Sequence, residues 1–158
     1  PEPRLTLVEF APWLEAEVES MRIIGRSLTL TVDCGALPEG QKVELDQQSM
    51  PYAVTNLLRN AIKYAKSTIA VSAEVRGDRV RVHVDDDGIG IPEEERQRVF
   101  FAFTRLDRSR DRATGGYGLG LAIVRLVLEQ HGGAVTADAS PLGGARFTLD
   151  WPLLQNVT

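Results

Sequence analysis

Asn56 and Asn60 stand four residues apart in 56-NLLRNAIKY-64, with Lys63 and Tyr64 a turn further on. On a helix the four side chains fall near one face. Asparagine is a poor helix former, so a helix face that leads with two of them is unusual. A merely solvated face is one explanation. The other is chemical. An amide oxygen at Asn60 suits a hard cation such as Mg²⁺, which takes oxygen donors and keeps several waters. Lys63 would then bring a point charge to a phosphate.

A second group is 84-VDDDGIGIP-92, where three consecutive carboxylates follow an apolar strand. Adjacent like charges repel, which points to a function for at least one, although an acidic turn requires none. In the functional reading, Asp86 accepts a hydrogen bond from an exocyclic amine. Gly88 and Gly90 let the backbone approach a flat ring, and Ile91 supplies an apolar surface beneath it. A third group, 99-VFFAFTRLD-107, spaces Phe100 and Phe103 three apart, a spacing equally suited to a core. The fourth is 114-TGGYGLGLAIV-124, where Gly116, Gly118 and Gly120 precede an apolar helical run. Free N–H groups and the dipole at such a helix start attract anions. No Gly-Lys-Ser/Thr follows, so this is not a Walker loop.

These groups need elements to hold them. The spacing of Trp13, Leu14, Val18, Met21 and Ile24 predicts a helix over 12–24 with Pro12 in its first turn. Alternation predicts strands over 27–33 and 42–45, and Asp46 is placed to cap a helix running to Ala65. A hairpin is expected from 68–75 and 79–84 around Arg76-Gly77-Asp78. Beyond it come a loop over 85–92, a short helix over 93–99 and a long arginine-rich loop over 105–116. A helix over 119–130 stopped by Gly132-Gly133, then strands over 134–139 and 145–151, complete the chain. Strands and helices are segregated rather than alternated, which predicts an α+β two-layer sandwich: a mixed, mostly antiparallel sheet packed by about three helices.

Bulk properties narrow the function classes. At 158 residues with 43% apolar content, one compact domain is expected. The net charge is −4, and the one basic cluster, Arg105, Arg108, Arg110 and Arg112, is interrupted by Asp107 and Asp111, so no nucleic-acid partner is expected. Cys34 is the only cysteine, which excludes an internal disulfide and a cysteine-based metal site and suits a reducing compartment. No apolar run is long enough to span a bilayer, so no membrane contact is expected of this domain itself.

Taken together and in order, the asparagine block, D-x-G-x-G, the paired phenylalanines and G-x-G-x-G-L resemble the N, G1, F and G2 boxes of sensor histidine kinases. These boxes define the ATP-binding catalytic domain of two-component systems, within the Bergerat-fold group that includes gyrase, Hsp90 and MutL. The resemblance runs from about Asp46 to Pro152, and 105–124 with 142–153 look most like RstB-type sensor kinases.

Carried over by position, the resemblance implies ATP and Mg²⁺ as the bound groups. Asn60 would be the metal ligand, with Asn56 beside it on phosphate or metal-bound water. Lys63 would reach the phosphates, and Tyr64 would pack on base or ribose. Asp86 would read the adenine amine in a pocket shaped by Gly88, Gly90 and Ile91. Phe100 and Phe103 would anchor a lid over about 101–116, in which Arg105 or Arg112 would meet the γ-phosphate. Gly116, Gly118, Leu119 and Gly120 would present backbone amides to the triphosphate, with Leu121 nearby.

Bergerat ATPases that hydrolyse ATP carry a water-activating glutamate where this chain has Asn56, and an amide cannot remove that proton. That implies a kinase rather than a hydrolysing ATPase, and together with the RstB-like lid it counts against a serine-protein kinase of the anti-sigma-factor kind; the alternative of a non-catalytic ATP sensor stays open, with intact Asn60, Asp86 and G2-box glycines favouring activity. One departure is Ala145 after Gly144, where many relatives carry threonine. Neither His83 nor His131 has the setting of a phosphoacceptor. The acceptor histidine is therefore expected in a separate dimerisation hairpin, with a response regulator as onward partner, and the chain is expected to be a cytoplasmic piece of a bacterial sensor anchored in the inner membrane. On this reading residues 1–11 are a linker from that hairpin, 12–153 the catalytic domain and 154–158 a tail.

Overall fold

The computed structural model describes residues 2–101 and 120–155. Its first strand, β1 (Leu5–Glu9), leads directly into helix α1 (Phe10–Glu19). Then come β2 (Thr29–Ala36), β3 (Lys42–Asp46) and helix α2 (Met50–Tyr64). The hairpin β4 (Thr68–Arg76) and β5 (Arg79–Asp86) follows, then two 3-10 turns at Glu93–Glu95 and Arg98–Phe100. Helix α3 (Gly120–Gln130) and the pair β6 (Ala134–Ala139) and β7 (Ala145–Pro152) end the described chain.

The main sheet has the order β2-β4-β5-β7-β6, parallel only between β2 and β4. Strand alternation sends Val80, Val82, Val84, Phe147, Leu149 and Trp151 to one face, where they are buried with the apolar sides of α1, α2 and α3. The opposite face carries Glu74, Arg81, His83, Thr148 and Asp150, tied by ion pairs and by hydrogen bonds from His83 to Glu74 and Thr148. The expected two-layer α+β sandwich is what forms.

A second, two-stranded sheet pairs β1 with β3 in antiparallel register. This corrects the expectation that 1–11 is a linker: Leu5–Glu9 is paired, and Phe10 is fully buried against Trp13 and Trp151. Helix α1 accordingly starts two residues before Pro12, which sits in the first turn where no N–H partner is lost. It ends at Glu19 rather than Ile24. Ile23 and Ile24 are exposed, so the apolar period ran past the helix.

Other boundaries moved for local reasons. Asp46 does not cap α2 itself. Its Oδ1 accepts from the N–H groups of Gln48 and Ser49, building the turn that leads to a start at Met50. Strand β2 reaches Ala36 through an irregularity after Asp33. The segment 93–99 forms two 3-10 turns in place of one helix, because so short a stretch cannot offset the cost of a helical nucleus. Arg96 Nε donating to the Ile91 carbonyl, at 3.1 Å, ties down the first turn. Buried Val99 and Phe100 tie down the second.

Candidate functional site

The amphipathic helix α2 buries Met50, Ala53, Val54, Leu57, Leu58 and Ala61 against the sheet. Its neighbouring face carries Asn56, Asn60, Lys63 and Tyr64, all half-buried, so the predicted grouping on one side is what the helix produces. Among the described residues, the side-chain Nδ2 of Asn60 is buried without a hydrogen-bond partner. Buried polar atoms are normally satisfied, so a partner from outside those residues, protein or ligand, is expected there. Lys63 Nζ lies 5.8 Å from the centre of the Tyr64 ring.

Strand β5 delivers the three aspartates, and alternation separates them. Asp86 points to the core side and is 2% exposed. Its Oδ1 accepts from the N–H of Gly88 at 2.9 Å and of Ala145 at 3.2 Å. Asp85 turns to the other face, where Arg146 donates Nε at 2.8 Å and Nη2 at 3.0 Å, and Ser140 Oγ donates at 2.8 Å. Asp87 accepts from the backbone N–H groups of Lys66, Ser67 and Thr68 and from Ser67 Oγ. Those hydrogen bonds, the Ser67 hydroxyl first, hold its carboxyl well below the usual carboxylate range.

The loop after β5 then meets the end of α2. A Cβ on Gly88 would overlap the Tyr64 carbonyl oxygen, so only glycine lets the loop lie this close. Asp87 supports that approach by gripping the turn directly after Tyr64 and Ala65. Gly90 has φ +73°, and Ile91 is buried beneath the loop. Further back along the same face of α2, a Cβ placed on Gly120, the first residue of α3, would lie 3.7 Å from Asn56 Oδ1. Leu121 packs into the core. One cleft is therefore bounded by the polar face of α2, the Asp86–Ile91 loop and the start of α3. Phe100 does not line it. That ring is core, in edge contact with Phe147 at 5.9 Å, and its carbonyl accepts from Arg125 Nε.

Of the residues singled out from sequence, Asn56, Asn60, Lys63, Tyr64, Asp86, Gly88, Gly90, Ile91, Gly120 and Leu121 lie in or beside this cleft. Phe103, Arg105, Arg112, Gly116, Gly118 and Leu119 lie outside the described residues. Asp87 was not singled out from sequence. Gly144 and Ala145 were marked there only as a departure from the threonine of many relatives, not for the N–H that Ala145 donates to Asp86.

Among the described residues no group of three or more His, Cys, Asp or Glu side chains gathers as a metal centre. The donor set still fits Mg²⁺ on a nucleotide. Such an ion takes most of its shell from water and phosphate and needs only one or two protein oxygens, which the Asn60 amide, with Asn56 beside it, can supply. Among the described residues no helix is long and apolar enough to cross a membrane.

A mixed sheet with helices on one face, and a buried aspartate at the end of a strand facing a polar helix side, define a nucleotide-binding domain of the Bergerat kind. The family model for histidine kinase-, DNA gyrase B- and HSP90-like ATPases matches residues 45–155, and the chain belongs to that family. It is 42% identical over 145 residues to the sensor protein RstB of Escherichia coli K12, a match covering 92% of this chain and 33% of RstB. The chain thus spans about a third of that relative's length. Among solved structures, the catalytic domain of the histidine kinase ThkA superposes with a TM-score of 0.82 at 24% identity, covering 95% of this chain and 96% of that one. Full-length ShkA in complex with AMPPNP superposes with a TM-score of 0.79 at 27% identity, covering all of this chain and 33% of ShkA.

Proposed function

We propose that this chain is the ATP-binding catalytic domain of a sensor histidine kinase and passes the γ-phosphoryl group of ATP to a histidine on a separate dimerisation hairpin. The observation that carries the reading is the buried Asp86 carboxylate, fixed by two backbone N–H groups at one end of a cleft whose other walls are amide side chains and a helix start. A carboxylate is an acceptor, and the adenine 6-amino group is a donor. Gly88, Gly90 and Ile91 floor the base pocket, and Tyr64 closes its edge.

The phosphates lie towards Asn56, Asn60 and the N-terminus of α3, where orphan N–H groups and the helix dipole favour anions. Asn60 would hold Mg²⁺ through its amide oxygen, and the ion would supply charge neutralisation at the phosphates. Asn56 would hydrogen-bond beside it, and Lys63 would add a positive charge. Gly116, Gly118, Leu119 and one lid arginine, Arg105 or Arg112, complete the phosphate contacts; sequence resemblance alone supports these. In the transfer step an imidazole nitrogen of the acceptor histidine bonds to the γ-phosphorus while the bond to the β,γ-bridging oxygen breaks and ADP leaves. Asn56 offers no base to activate water, which protects ATP from hydrolysis until the acceptor arrives.

The parent would be a sensor anchored in the inner membrane with this domain on the cytoplasmic side, signalling to a response regulator. Calorimetric titration with ATP and Mg²⁺ tests the reading. The native chain should bind, and Asp86→Ala should lose at least about tenfold in affinity, as expected for removing a hydrogen bond to a charged group. Unchanged affinity in the variant would refute the adenine-reading role.

A further inference from the structure

Asp87 places a negative charge just beyond the C-terminus of α2, the end at which the helix dipole disfavours an anion. Four donors hold it there. The N–H groups of Lys66, Ser67 and Thr68 lie 2.8, 3.0 and 3.2 Å from Oδ1, and the Ser67 hydroxyl donates to Oδ2 at 2.6 Å. The junction of α2 and β4 has a second hold, because Thr29 N–H donates to the Ser67 carbonyl at 2.8 Å from the side of β2. What the Asp87 clasp adds is a link between two walls of the cleft. On one side, Lys63 and Tyr64 occupy the last turn of α2, which stops at Ala65 in an extended conformation (φ −62°, ψ 144°). On the other, Asp87 is the next residue after Asp86. Helix ends fray, so a lysine in the last turn keeps its place only if the turn is tied down.

We infer that Asp87 is a positioning residue: by clasping residues 66–68 it fixes the last turn of α2, and with it Lys63, at a set distance from Asp86, so that the lysine meets the phosphates of a nucleotide whose base Asp86 holds. That role presupposes the ATP site proposed for the cleft. Its sign separates it from a purely electrostatic one. A carboxylate near a polyanion repels it, so loss of the charge alone would tighten ATP binding. Loss of the clasp does the opposite, since a cation displaced from the phosphates contributes less.

The test measures Kd for ATP with Mg²⁺ by calorimetry in the native chain, Asp87→Ala, Asp87→Asn, Lys63→Ala and the double variant Asp87→Ala with Lys63→Ala, each checked for fold by circular dichroism. Asp87→Ala should weaken binding about tenfold. Asp87→Asn loses the same charge but keeps an oxygen for the three N–H groups and an amide for the Ser67 hydroxyl, so it should stay within about threefold of native. In the Lys63→Ala background, Asp87→Ala should cost less than about twofold, because the group it positions is gone. Affinity at or above native in Asp87→Ala overturns the inference. So do an equal loss in Asp87→Asn, additive losses in the double variant, and native affinity in Lys63→Ala, which would leave Asp87 nothing to position. If Asp87→Ala does not fold, Ser67→Ala, which removes a single donor, goes through the same cycle. A loss of about threefold that vanishes in the Lys63→Ala background supports the role, and native affinity or an additive loss overturns it. A native chain that does not bind ATP contradicts the proposed function instead.

Discussion

Asp85, Asp86 and Asp87 are chemically identical neighbours with three different tasks. Asp85 forms a bidentate pair with Arg146, Asp86 faces the cleft, and Asp87 clips the turn after α2. The sequence showed that three adjacent carboxylates need a reason and that strand alternation divides them. It could not show which groups each would meet, since apart from the Gly88 N–H their partners lie about 20 positions away for Asp87 and about 60 for Asp85 and Asp86. Asn60 poses the complementary case, because among the described residues its Nδ2 has no hydrogen-bond partner to lose. Asn60→Ala should therefore leave folding intact and weaken ATP binding far more with Mg²⁺ present than with the metal chelated. Equal losses in paired titrations would refute the ligand role.

Among the elements, α3 joins the cleft to the base of the fold, and His131 at its end shows how. The ring is fully buried: Nδ1–H donates to the Val127 carbonyl at 2.8 Å, and Nε2 accepts from the Asp46 N–H at 3.0 Å. Burial drives its pKa below the usual histidine value of 6.5, so the folded state keeps it neutral. The unfolded chain then binds the proton more readily. Stability should be independent of this group above about pH 6.5 and fall as pH drops below it. Denaturant midpoints measured between pH 7.5 and 5 should show that slope, and His131→Gln should flatten it; an identical slope in the variant would contradict the assignment. The β4–β5 hairpin and the sixth and seventh strands were legible from alternation and turn residues because their pairing is local. Strand β1 was not. Its partner β3 lies about 40 positions along the chain, and Leu5–Glu9 reads as too short to stand alone.

For the molecule as a whole, the two ends of the sandwich do different work. At the base, Phe10 and Trp151 stack the small sheet on the large one, Trp151 Nε1 donates to the Glu44 carbonyl, and Glu44 N–H donates to Leu153. These contacts are long-range, which is why sequence pattern alone placed the boundary of the folded unit too late. At the opposite end, the candidate site was legible because its residue types are unusual where they stand: two amides on a helix face, a run of carboxylates after an apolar strand, and closely spaced glycines. Neither histidine of the chain is presented as an acceptor, since His83 is bonded to Glu74 and Thr148 on the sheet face and His131 is buried.

Incubation with γ-labelled ATP and Mg²⁺, with and without a histidine-bearing dimerisation hairpin of a sensor kinase closely related to this chain, tests the central claim most directly. The account predicts that the chain alone stays unlabelled and releases little phosphate, and that acid-labile, alkali-stable label appears on the hairpin when both are present. Label on the chain itself, or steady release of phosphate with no label on the hairpin, would contradict it.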